Sequence, residues 1–286
     1  MSETGVIHDI GYQRYTGPRL GRGAGIGALY VHGLRAAFGL GRSAKAKIFP
    51  WLVAGIALLV AVIIAAIKSQ FPEITFSYVD LDNQLSFMII FFSAILAPTL
   101  VSRDLRSNTL PLYFSRPLRA ADYVAAKFLA MVTAVWLLLG VPQFIMFLGA
   151  AFTTKTGMKG VWHEVQDLVP AWGYSLLWAL LFAGIGLLIA SLTGKQAFAA
   201  GGIVAVFLMT TPVVAVLAQL PSSAANHMAG LASPITLING VGSYLLGSKI
   251  GLDIGRYGPI FVIEAFCLIA ACLLLLLARY RKVSAL

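Results

Sequence analysis

The sequence predicts an all-α, polytopic membrane protein with six crossings, on three observations. Of its 286 residues, 59% are hydrophobic and only 11% charged, less than half the roughly 25% charged share of a soluble domain. Six apolar stretches approach the ~20 residues needed to cross a hydrocarbon core. Lys and Arg concentrate on alternate connections between those stretches. Together with a mean hydropathy of +0.87, the first observation excludes a soluble enzyme, a secreted disulfide scaffold and a disordered tail.

The chain opens with a polar, basic arm, residues 1–47, ahead of a transmembrane domain, 48–286. That arm is too long for the charged region of a cleavable signal, so the first span is expected to be an uncleaved anchor. Within it, Gly23–Lys47 sets Leu29, Leu34, Phe38 and Leu40 against His32, Arg35 and Arg42. This pattern suits an amphipathic helix in the membrane interface, although Gly33, Gly39 and Gly41 weaken helix propensity.

The spans are expected at Ile48–Ile67, Leu85–Val101, Phe128–Phe152, Trp172–Leu192, Phe198–Leu220 and Pro259–Arg279. The second is shortest, and needs Ser102 and the polar residues before Leu85 to reach full length. Small residues recur at helix-packing intervals, Ala57-Ala61-Ala65 in one span and Ala179-Ala183-Gly186-Ala190 in another, and such seams admit close backbone approach. Pro98 and the pair Pro142-Gln143 mark sites where a span bends or presents polar backbone. Ser233–Leu246 is too polar and Gly-rich to cross, and is expected at the outer interface or dipping back into the protein.

Orientation follows from the basic residues. The arm carries seven, the connection between spans two and three carries five, Lys195 adds one, and Arg279, Arg281 and Lys282 add three. The opposite side has only Lys68, Lys155, Lys159, Lys249 and Arg256. A division of 16 against 5 predicts that both termini are cytoplasmic. The net charge of +10 therefore reflects topology and facing anionic headgroups, and no nucleic-acid partner is expected.

Reactive chemistry is sparse. Cys267 and Cys272 lie in an apolar run without framework spacing, and the four histidines are scattered, so no metal site is expected. No G-x-x-x-x-G-K-[ST] loop occurs; any ATP and magnesium would bind another chain, and no cofactor is expected on this one. Glu264 is the one ionisable residue expected inside a span, and such residues are functional candidates. It lies about 7.5 Å along its helix from Pro259, shallow enough either to snorkel or to line a pathway. With Gln143 it is the candidate for the substrate pathway.

The most specific stretch is Ser102–Lys127. Charged residues Arg103, Asp104 and Arg106 around Leu105 precede Thr109, an apolar patch of Leu110, Leu112, Tyr113 and Phe114, then Ser115-Arg116-Pro117. Apolar patches rimmed by charge mark protein contact sites; the alternative is an interfacial helix lying on the bilayer. The stretch is similar to the loop between spans two and three of type-2 ATP-binding cassette (ABC) permeases. Thr109-Leu110, Ser115-Arg116-Pro117-Leu118 and Lys127 match that pattern, while Asn108 replaces the usual glycine and Pro111 stands where an acidic residue is common. Gly11–Arg19 resembles the arm of one bacterial subgroup, and Ser233-Pro234-Ile235-Thr236 is similar to the family's outer-face helices.

The resemblance implies a permease subunit of a bacterial exporter, in the cytoplasmic membrane, paired with a second copy or paralogue. It also implies a separate ATPase subunit docked on Arg103, Asp104, Leu105, Arg106, Thr109, Leu110, Tyr113, Phe114, Arg116 and Pro117, a coupling helix. The apolar lining favours a hydrophobic or amphipathic substrate such as a drug, antibiotic or lipid. A secondary transporter or channel, or a membrane assembly factor without transport of its own, remains the alternative.

Overall fold

In the computed structural model each long apolar stretch is helical, because backbone in hydrocarbon must satisfy its own N–H and C=O groups. The structure describes residues 17, 21–71, 76–107, 109–110, 113, 118–154, 157–220, 222–248 and 251–284. Helix α1 (Arg22–Ala37) leads into the first crossing, α2 (Ala44–Gln70). A short α3 (Tyr78–Gln84) abuts the second crossing, α4 (Ser86–Arg106). The third and fourth, α5 (Ala120–Thr153) and α6 (Met158–Ser191), form a long hairpin, and α7 (Gln196–Leu217) is the fifth. Short helices α8 (Ser223–Met228) and α9 (Pro234–Leu246) precede the last, α10 (Gly258–Ser284). Among the described residues there is no strand.

All six expected spans are present, with shifted ends. Span two gains length at its C-terminal end, through Arg106, whereas the polar residues before Leu85 form the separate α3. Ser77 builds that helix by capping: its hydroxyl accepts from the Val79 N–H at 3.3 Å, and Asp80 accepts from the Ser77 N–H at 2.9 Å. At Pro98 the helix widens into a π-helical turn over Pro98–Ser102, since proline cannot donate to the preceding turn. The connection expected over 153–171 is mostly helix. α6 starts at Met158, because Glu164, Gln166 and Asp167 lower hydropathy without opposing helix formation. Gly157, at φ +63°, takes the reversal.

The hairpin is the centre of the bundle. The apolar windows of α5 and α6 are 67% buried, against 22% for α2, 17% for α7 and 28% for α10, whose exposed apolar faces suit lipid or another chain. The small-residue seams carry the packing. Ala57 and Ala61 are fully buried, and a Cβ on Gly149 would lie 2.7 Å from the Ala65 Cβ, so α2 and α5 touch through backbone. Gly186 meets Met131 and Ala97 in the same manner.

The Gly23–Lys47 segment is helical over α1, which packs on the start of α5. Arg22 pairs in bidentate fashion with Asp122 at 2.6 and 2.7 Å, and Asp122 also accepts from the Arg119 N–H at 2.8 Å. One carboxylate thus caps α5 and pins α1. At the other end of the molecule, α9 starts on Pro234, ends on left-handed Gly247, and presses Gly240 onto Phe261 and Gly242 onto Tyr174.

Candidate functional site

The basic end gathers the tips of five crossings. The hydroxyl of Ser102, at the end of α4, donates to the Ala190 carbonyl at 2.7 Å, and Arg279 Nε of α10 donates to the Ser191 carbonyl at 2.6 Å. Each satisfies a carbonyl in the last turn of α6. Gly194, between α6 and α7, lies against Arg106. Into this end runs the segment from Arg103 onward.

Asp104 is its anchor. Its carboxylate accepts from Lys127 Nζ at 2.8 Å and from the Tyr123 hydroxyl at 2.9 Å, both on α5. Lys127 is buried, so the pair lies where loss of either partner is costly. The Tyr113 ring lies 5.8 Å from that of Tyr123, which lies 5.0 Å from Tyr280 on α10. An aromatic ladder therefore joins the segment to two crossings. Burial, and then the Asp104 charge, raise the Tyr113 phenol above its ordinary value, so it stays neutral.

Of the other sequence-predicted residues, Thr109 donates to the Asp104 carbonyl at 3.3 Å and Leu105 packs on the core. Leu110 is buried within this chain rather than presented outward. Arg103 and Arg106 are exposed. Phe114, Arg116 and Pro117 lie outside the described residues, as does Gly11–Thr16 of the arm.

The opposite end holds a polar cluster that the sequence reading missed. Asp82 on α3 is fully buried and accepts from Gln143 Nε2 at 2.8 Å and from the Ser175 hydroxyl at 2.6 Å. Gln143 also reaches the Tyr78 carbonyl at 3.2 Å. No ion pair reaches Asp82 among the described residues. Burial pushes its carboxyl well above the usual carboxylate range, against the lowering pull of Ser175 and Gln143. The missed signal was the spacing of Tyr78, Leu81, Asp82 and Leu85, which puts Asp82 on the apolar face of a helix. Beside the cluster, Lys68, Ser77, Tyr78, Glu164 and Asp167 line an open cavity of about 420 Å³. The Tyr78 hydroxyl donates to Glu164 there.

Gln143 and Glu264 are not brought together. Gln143 is enclosed by α3 and α6, whereas Glu264 is half-buried with no hydrogen bond or ion pair among the described residues. Nor do three His, Cys, Asp or Glu side chains converge as metal ligands among them.

Residues 52–280 match one family model, that of the ABC-2 family transporter proteins. The chain belongs to that family. It is accordingly a multi-pass membrane transport subunit, the transmembrane component of an ABC transporter, and its family in general works with an ABC ATPase. The ABC-2 match takes in the Asp104 anchor, the tyrosine ladder and the Asp82 cluster alike. Comparison with curated proteins returns no match.

Proposed function

We propose that this ABC-2 chain is the permease of an ATP-driven exporter that moves a hydrophobic or amphipathic substrate out through the bacterial cytoplasmic membrane. ATP and magnesium sit on a separate ATPase subunit, docked on the 103–118 segment, and a second permease copy or paralogue completes the pathway. The observation that carries this reading is the Asp104 anchor with its ladder Tyr113–Tyr123–Tyr280. A push on the segment reaches α5 and α10 through packed rings, which is what shifting a bundle between two discrete arrangements needs. Tyr113, Phe114 and the charges around them form the docking face, with the basic end cytoplasmic.

The apolar substrate class is supported by a groove of about 270 Å³ lined by Trp136, Leu137, Gly140, Val141, Phe144 and Trp172. Such a surface favours flat or aliphatic bodies over sugars and ions. Glu264 is proposed as a substrate-facing carboxylate of the outer leaflet, and Gln143 as a contact that becomes available only when the Asp82 cluster opens.

Purification of the tagged chain from its native membrane tests the reading. An ABC ATPase should co-purify and carry all nucleotide hydrolysis, with none in the permease alone. Transport by the permease reconstituted without that subunit would contradict it.

A further inference from the structure

The basic end also holds a cavity. It measures about 770 Å³ and lies between α1, the end of α4 and the start of α5. Arg35, Arg42, Arg103 and Lys127 line it, with Asp104 as the acidic member. That carboxylate is already taken by Lys127 and Tyr123. Among the described residues, Arg35, Arg42 and Arg103 make no ion pair or side-chain hydrogen bond and are exposed. Three guanidinium groups thus border one half-open cavity whose acidic member, among the described residues, is already paired, which leaves a positive surface suited to an anion. Guanidinium forks match phosphate oxygens in pairs.

The surroundings indicate where that phosphate comes from. Val31, Leu40 and Leu100 supply apolar wall beside the arginines. Just beyond Arg42, Ile48, Trp51 and Leu52 on α2 are exposed at 62%, 55% and 52%, so hydrocarbon begins within two turns of helix. Trp51 donates to the Phe38 carbonyl at 3.2 Å, as an indole at a membrane boundary does. Basic pockets between helices at that level suit anionic headgroups.

We propose that this cavity is a binding site for the phosphate headgroup of an anionic phospholipid, held by Arg35, Arg42 and Arg103. Because Ser107, Thr109 and Tyr113 also line it, the bound lipid bridges α1 to the segment proposed to receive the ATPase. Only the choice of leaflet rests on the orientation proposed above; phosphate binding in detergent does not depend on it.

The test uses the purified full chain in neutral detergent, titrated with cardiolipin, phosphatidylcholine or inorganic pyrophosphate, with retained lipid read by native mass spectrometry. Cardiolipin should be retained saturably, and phosphatidylcholine should not. Arg35→Gln with Arg42→Gln should weaken retention at least tenfold, while Lys159→Gln with Arg256→Gln, an equal charge loss at the opposite end, should change it less than twofold. Both pairs are exposed, and an unchanged melting temperature without lipid verifies folding. Equal retention by the two double variants would overturn the site. Pyrophosphate binding that is lost in Arg35→Gln/Arg42→Gln, without lipid retention, would overturn the lipid assignment in favour of a soluble phosphate.

Discussion

Asp82 shows how a single side chain decides local energetics. Its carboxyl faces Gln143 of α5, Ser175 of α6 and the Tyr78 turn, with Tyr174 nearby and Glu164 and Lys68 one residue further out, on Tyr78. A carboxyl raised by burial binds its proton more tightly folded than unfolded. Stability from this group is therefore full below the unfolded value of about 4, and falls as pH rises towards the folded one, by ~1.4 kcal/mol per unit within that window. Asp82→Asn keeps the shape and the acceptor. It should flatten the fall of melting temperature with pH and match or exceed the parent at pH 8. Asp82→Leu removes the acceptor shared by the Gln143 amide and the Ser175 hydroxyl, leaving them only the Tyr78 and Ala171 carbonyls, and should cost about 1–3 kcal/mol at every pH. Thermal unfolding of both variants between pH 5 and 8 checks this.

Among the helices, glycine positions separate propensity from contact. Gly27 on α1 is exposed, with nothing within 4 Å of an added Cβ, so Gly27→Ala should be neutral or stabilise by up to ~1 kcal/mol. A Cβ on Gly240 would lie 2.2 Å from the Phe261 ring, so Gly240→Ala should destabilise by about 1–3 kcal/mol. Opposite shifts in melting temperature would confirm the docking of α9 on α10. The crossings and the Ala57 and Ala179 seams were legible in the sequence, because lipid imposes length and close packing imposes small residues. What hydropathy could not show was the helical continuation of α6 through Glu164 and Asp167, or the burial of Leu110. The site was half legible. The Ser102–Lys127 stretch stood out by its charge and aromatic pattern, but the Asp104–Lys127 pair joins residues that only the packing of the α4 end against α5 brings together. Asp82, in a polar connection, drew no notice because its partners lie 61 and 93 residues away.

At the scale of the whole molecule, the 16 to 5 division of basic residues predicts which end faces inward. Single cysteines at Ser107 and at Met158, which is 82% exposed, test it on a background lacking Cys267 and Cys272. An impermeant thiol reagent applied outside intact cells should label Met158→Cys and spare Ser107→Cys; the reverse would invert the topology. The central claim is that the segment after α4 receives the ATPase and passes its motion through the tyrosine ladder. Aromatic anchors at an interface typically cost ~2 kcal/mol or more when truncated, and rim charges little. Pull-down of the ATPase together with substrate-stimulated hydrolysis, comparing Tyr113→Ala/Phe114→Ala with Arg106→Ala, measures the claim most directly. The double variant should lose the ATPase or keep it without stimulation, while Arg106→Ala retains both; an intact, fully stimulated complex in the double variant would contradict the account.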